Sequence, residues 1–492
     1  MKNFSSALMW LTVSEIIYNV AGYVIHSAAG RILGPEEYGR FGLTVTLTTM
    51  IIILIGNGIP TAMSKYLSEV FESAPEKIYG IKRAAAKLQL ILMSSVTIAF
   101  FLLAPVFAAL LRDPSLTPLF QLSSLIIPAF AAASFYFYYF TGLHFFRMQA
   151  ILKTFRAFAR VGFIVILAYL FSTEGAVSGY ILAPLLIFII GFVCDGILTR
   201  KYFPAAHANK ADSAFSMRTI LQYAGPLTLF LLFYEFILTL DLYFVKGLLG
   251  SDYLTGIYNA AITAGRIPYY LFYALAIILL PAISKSTSEN DSLATKNLVE
   301  KSLRLLTFLL FPMVTLLIAY APQILHIFYG ARYAAAALPM QVFAIGVGFL
   351  TVFYILSFAM NGANLIKIPL KLAFFGFLGM IALNFILIPR WELVGAALAT
   401  TIISCILMIS ILIYVKMHFH THISLKTLIF ASLGAVIIGI AARYLPHGTY
   451  DFMLFGTILF FAYFGLLKLF GELTEEDFTP FKKIFRKQTS TD

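Results

Sequence analysis

Charge is what this sequence has least of. Only 12% of its 492 residues are Asp, Glu, Lys or Arg, against 60% hydrophobic, which excludes a water-soluble domain of any size. There are two cysteines, Cys194 and Cys405, each inside an apolar run and far apart in sequence. Neither a disulfide framework nor a metal site follows from them. No G-x-x-x-x-G-K-[ST] nucleotide loop, no H-E-x-x-H and no D-x-D occurs, so ATP-driven transport, zinc hydrolysis and metal-dependent sugar transfer lack their usual signatures. Nor is there a long polar stretch between apolar runs to hold a folded domain outside them.

What is there is apolar sequence in helix-length runs. A spanning helix needs about 20 apolar residues, and we read fourteen spans, near 7–29, 41–64, 88–111, 118–142, 157–171, 176–198, 223–246, 256–284, 303–325, 336–361, 367–388, 393–415, 425–445 and 451–470. The first run is too long for the core of a signal peptide and reads as a true span. With the N-terminus inside, the inner segments hold 27 of the 35 Lys and Arg and the outer segments seven. That bias places both termini in the cytoplasm. The net charge of +12 therefore reads as membrane topology, with no basic surface for nucleic acid. The short run 157–171 is expected to extend into its basic flank, because Lys and Arg can snorkel.

The chain also repeats itself. Ser284-Lys285-x-x-Ser288-Glu289 echoes Ser64-Lys65-x-x-Ser68-Glu69 at an offset of 220, and Gly395-Ala396 echoes Gly175-Ala176. Gly362 and Lys367 answer Gly142 and Arg147, while Leu249-Gly250 answers Leu33-Gly34 at 216. Six spans per copy is an even number, so the copies share one orientation, as in parallel-repeat transporters. The expected organisation is an N-lobe over 1–215, a C-lobe over 216–422, two additional spans over 423–471 and a cytoplasmic tail over 472–492. The segment Arg200–Met217 is the natural linker.

Several of these stretches carry a resemblance. Arg31-x-Leu33-Gly34-Pro35-Glu36-Glu37-Tyr38-Gly39-x-Phe41, the run Leu249-Gly250-Ser251-Asp252 through Gly256, Tyr258 and Ala260, and Asn361 through Arg390 to Ala397 resemble the polysaccharide-transport members of the multidrug/oligosaccharidyl-lipid/polysaccharide (MOP) superfamily. The resemblance covers most of the first 415 residues. It implies an all-α membrane protein in which two parallel six-helix repeats form a V around a central cavity, followed by two extra C-terminal helices. It also implies a transporter rather than an enzyme, one that moves lipid-linked sugars by alternating access.

The candidate site residues are the charges that fall inside or beside spans, because an ionisable group in a bilayer is costly and by default functional. Arg266 stands alone in the run Gly256–Ser284. Its guanidinium suits the pyrophosphate of a polyprenyl-linked glycan, and Arg266-Ile267-Pro268 resembles an arginine–proline pair lining the cavity of lipid II flippases. The competing reading is a structural arginine paired with Glu235 or Asp241. Arg31 and Arg40 lie near the outer mouth as substrate contacts, or as interfacial charges beside Glu36 and Glu37. Asp241, Glu235 and Glu15 are candidates to bind a coupling proton or sodium ion, and His26 invites the same question. Pro60, just after Asn57, and Pro281 are candidate hinges. His418, His420 and His422 read as a solvated inner loop, and no metal or other cofactor is expected.

The first functional reading is a flippase carrying a polyprenyl-pyrophosphate-linked oligosaccharide, for O-antigen or a similar surface polysaccharide, across the cytoplasmic membrane. A lipid II flippase and an ion-coupled multidrug exporter are the alternatives. Expected partners are the lipid-linked glycan, membrane lipid, and a polysaccharide polymerase and glycosyltransferases, with no nucleic acid.

Overall fold

The structure is a computed structural model, described here for residues 4–473 except 57, 204–216, 290, 422, 423 and 447. Asn57, His422, the lobe boundary at 215/216, most of the linker and all but the first two residues of the tail lie outside the described residues. Among those described, regular structure is helical throughout, with no strand. In chain order the helices are α1 (Phe4–Gly56), α2 (Gly58–Val70), α3 (Ile78–Leu110), α4 (Thr117–Ser123), α5 (Ile126–Gly142), α6 (Phe146–Tyr202), α7 (Met217–Leu249), α8 (Asp252–Gly265) and α9 (Ile267–Ser288). They continue with α10 (Ser292–Ala319), α11 (Ala321–Tyr329), α12 (Ala337–Gly362), α13 (Lys367–Phe419), α14 (Leu425–Tyr444) and α15 (Asp451–Leu469). Among the described residues, eight helical stretches are long and apolar enough to cross a membrane by length and composition. In a bilayer core only closed backbone hydrogen bonding is tolerated, which is why apolar runs of this length become helices.

Three of the helices exceed 50 residues because each joins two expected spans through a tight joint. In α1 the joint is Gly34 (φ 75°) followed by Pro35. A proline at the first position of a new helical segment gives up no hydrogen bond. In α6 and α13 the joints are Phe171-Ser172 (φ −133°, then 52°) and Trp391-Glu392 (φ −130°, then 46°).

These joints make the duplication visible in the backbone. Gly34 (φ 75°) pairs with Gly250 (φ 65°), Arg112 (56°) with Gly330 (89°), His144 (61°) with Asn364 (61°), and Ser172 with Glu392. The separations are 216, 218, 220 and 220 residues, the register seen in the sequence. Positive φ is disfavoured for every residue but glycine. Arg/Gly, His/Asn and Ser/Glu share little chemistry, so the geometry of each joint is what both copies keep.

The chain divides into two compact units. The first holds Met1–Ala260 and Ala373–Ala396, the second Ala261–Leu372 and Ala397–Asp492. In the first unit α5 forms the centre. Phe135, Tyr136, Tyr139 and Phe140 are buried in a core with Met63, Leu67, Ile81 and Ile187. Phe233 and Phe236 of α7 meet Phe377 at ring-centroid distances of 5.7 and 4.9 Å, and Phe244 meets Phe385 at 4.9 Å. Lipid is as apolar as leucine, so helix contact in a membrane depends on close packing and small residues. Gly39 of α1 faces Gly256 of α8 so closely that a Cβ on Gly39 would lie 2.7 Å from the Gly256 nitrogen. In the second unit α9 packs on α12, and α10 packs on α14, which pairs with α15. Glu472 closes this corner, accepting from Thr427 at 2.7 Å and from Lys426 at 3.2 Å.

Candidate functional site: charges buried within the helices

Arg266 occupies the break between α8 and α9. The run Gly256–Ser284, expected as one helix, is interrupted here, and Pro268 supplies the reason. It has no N–H to donate, and its ring crowds the carbonyl four residues earlier. The Arg266 nitrogen still donates to the Ile262 carbonyl at 3.1 Å, ending the preceding turn. The side chain is half-buried, its guanidinium carbon 5.9 Å from the centre of the Phe343 ring in the same unit. A Cβ at Gly265 would lie 2.8 Å from that ring, so the lack of a side chain there lets Phe343 approach the break.

Asp241 is fully buried in the first unit. One carboxylate oxygen accepts from the Tyr258 hydroxyl at 2.7 Å and the other from the Leu242 amide at 2.9 Å. Glu235, six residues earlier on α7, is half-buried, and its carbonyl accepts from Thr239. Glu15 of α1 is paired with Lys153 of α6 and its side chain is 42% exposed. The Nδ1 of His26 lies 2.9 Å from the Tyr38 hydroxyl.

Arg31 is exposed, whereas Arg40 is half-buried. Arg40 reaches Glu37 at 3.4 Å and donates to the Ser115 carbonyl and hydroxyl at 3.3 and 3.2 Å. Glu37 also accepts from Thr173 at 2.5 Å. Arg40 is thus bound to Glu37 and Ser115 within the first unit. Pro60 is buried in the first turn of α2, and Pro281 falls within the helix α9.

The structure adds two groups that the sequence reading passed over. The first surrounds Lys246, only 2% exposed at the end of α7. Its ammonium contacts Asp113 at 2.7 Å, in the turn after α3, and Asp252 at the start of α8. Burial alone would raise the Asp113 carboxyl. The hydrogen bonds from Lys246 and Ser115 outweigh it and hold that carboxyl below its usual range.

The second lies on α6, which begins at Phe146 and absorbs the basic flank of the short span. Arg156 and Arg160 stand ten and fourteen residues into it, roughly 15 and 21 Å along the axis at 1.5 Å per residue. Snorkelling is not what these side chains do. Arg156 is 3% exposed and Arg160 9%. The Arg160 guanidinium lies 4.8 Å from the Tyr18 ring and 5.0 Å from the Tyr180 ring, and it donates to the Tyr180 hydroxyl at 3.4 Å. Arg156 lies 4.3 Å from the Phe130 ring and 5.6 Å from those of Tyr18 and Phe137. Its Nε has no hydrogen-bond partner, and no ion pair to Arg156 is found among the described residues. A cation–ring contact contributes roughly 0.5–2 kcal/mol, while a buried ion costs several kcal/mol even after relaxation. Only Phe130 is close, so the rings offset part of that cost.

The signal was present in the sequence. The run 157–171 already holds Arg160, and extending it to span length draws Arg156 into the helix. Lys153, Arg156 and Arg160, spaced three and four apart, share one face.

Known structures place this architecture. The fold is similar to that of a lipid II flippase in an inward closed conformation, with a TM-score of 0.74 at 15% identity over 93% of this chain and 98% of that one. It is also similar to an inward-facing multidrug resistance MATE family transporter of the MOP superfamily, with a TM-score of 0.70 at 13% identity over 84% and 98%. The fold is therefore one shared with a lipid II flippase and a multidrug transporter. Residues 6–287 match the model of the family described as polysaccharide biosynthesis protein, and the chain belongs to that family. Among its relatives are stage V sporulation protein B of Bacillus subtilis, 22% identical over 81% of this chain and 80% of that protein, and an uncharacterized membrane protein of Methanocaldococcus jannaschii, 23% identical over 80% and 94%.

Proposed function

We propose that the chain moves a polyprenyl-pyrophosphate-linked oligosaccharide from the inner to the outer leaflet of the cytoplasmic membrane, by alternating access of its two repeats, 1–215 and 216–422. The observation that carries this reading is Arg266, a permanently charged fork held half-buried at a helix break in otherwise apolar sequence. Its role is to bind the anionic head while the polyprenyl tail stays in lipid. The buried Asp241–Tyr258 pair and Glu15, with Glu235, are the groups proposed to couple transport to a proton or sodium gradient. A polymerase and glycosyltransferases would consume and supply the glycan. A second reading, transport of lipid II itself, draws support from the fold similarity to a lipid II flippase.

The test is translocation in proteoliposomes. Wild type should move a labelled polyprenyl-pyrophosphate glycan, and Arg266→Ala should lower the rate tenfold or more at equal insertion. Arg266→Lys, which keeps the charge but loses the fork, should fall between. Transport of lipid II but not of other glycans would favour the second reading. Extrusion of cationic dyes without any lipid-linked sugar would overturn both.

A further inference from the structure

We propose that Arg156 and Arg160, with Tyr18 and Tyr180, form an oxyanion site contained within the first unit, and that its ligand is a phosphate-class group. The juxtaposition is of two guanidiniums one turn apart on α6, both at least nine-tenths buried, across the ring of Tyr18. Lys153 adds a third cation on the same face, and its ammonium lies 5.4 Å from the same ring. The nearby carboxylate, Glu15, is taken by Lys153. Arg156 is left with contacts only to rings among the described residues.

Arginine keeps its proton at any physiological pH, so Arg156 cannot relieve its burial by neutralising itself as a buried lysine does. Two planar forks side by side, with a tyrosine hydroxyl at hand, suit the several oxygens of a phosphate better than a single-point anion.

The repeat supplies an independent argument. The offset of 220, kept by the joints on either side of this segment, places Ala373, Gly376 and Met380 opposite Lys153, Arg156 and Arg160. The second copy builds the same helix with the same joints and none of the cations. The scaffold does not require them.

The proposal stands on the first unit alone and does not depend on the flippase reading. Its test is calorimetric titration of the purified full chain in neutral detergent and chloride-poor buffer, with inorganic pyrophosphate as the probe. Arg156→Gln and Arg160→Gln should each weaken binding at least tenfold, and Arg332→Gln, an exposed arginine in the other unit, should change it less than twofold. Tyr180→Phe, a milder change, should weaken it two- to fivefold and keeps the test open if an arginine variant fails to fold. Dioleoyl phosphatidic acid doped into the micelles distinguishes the sources. If the site takes a lipid phosphate, this lipid competes with pyrophosphate and phosphatidylcholine does not. If it takes free phosphate, neither competes. Pyrophosphate binding that is unchanged in Arg156→Gln and Arg160→Gln, that is lost only in Arg266→Gln, or that is absent from wild type, overturns the proposal. Glycan transport that persists in these variants leaves the flippase reading intact, and transport absent from wild type with binding present removes that reading alone.

Discussion

At the scale of single residues, the groups that the structure brings together are those whose partners lie far away in sequence. Asp113 and Lys246 are 133 positions apart. Their bridge is buried on the lysine side, and truncating one partner of a buried pair costs about 3–5 kcal/mol. Lys246→Met leaves Asp113 and Asp252 facing one another without a cation, so its midpoint in detergent thermal melts should fall well below wild type. The pH dependence follows from the depressed carboxyl of Asp113. A carboxylate held below its unfolded value stabilises the fold above that value and ceases to do so as pH falls through the lowered one. The gap in midpoint between wild type and Asp113→Asn should be full at pH 7 and close as pH drops below about 4, near the ordinary aspartate range. Arg266 was legible from sequence because it stands alone among apolar residues. Lys246 was not, because at the end of a span a lysine reads as an interfacial charge until the turn carrying Asp113 is seen beside it.

At the scale of elements, the apolar runs announced the helices, although the run 256–284 is broken at Arg266 and the run 118–142 between Ser123 and Ile126. The joints were harder to read. Gly34-Pro35 is a visible turn signal, but nothing in Phe171-Ser172 or Trp391-Glu392 advertises a positive φ, and the helix runs on to either side. Non-glycine residues in such backbone regions cost about 1–3 kcal/mol, more than the 0.4–1 kcal/mol that glycine's freedom adds to the unfolded chain. Ser172→Gly and Glu392→Gly, both at exposed positions, should each raise stability by about 1 kcal/mol, and the two gains should be similar because the joints are. Gly256→Ala should do the opposite. Its Cβ would collide with the Pro35 carbonyl, and the cost of overpacking, about 1–3 kcal/mol, should appear as a lower midpoint.

At the scale of the molecule, composition and charge bias were enough to identify a polytopic membrane protein, and the repeat could be read directly because its offset recurs. The relation of the α6 cations to Tyr18 and Glu15 could not, since it depends on how α1 and α6 lie together. The proposed topology has its own check. In a background lacking Cys194 and Cys405, a cysteine at Ser73, exposed between α2 and α3, should be shielded from a membrane-impermeant thiol reagent in intact cells. A cysteine at Tyr450, exposed between α14 and α15, should be labelled at once. The reverse pattern would put the termini outside.

The contact of Gly39 with Gly256 has a mechanical consequence. Where side chains interlock, parting two helices means withdrawing each from its socket and letting it regain its rotamers. Where bare backbone meets bare backbone there are no teeth to disengage, so the surfaces can part or slide as rigid bodies along a smooth track. Such a joint behaves as a bearing, and a single methyl group is enough to jam it.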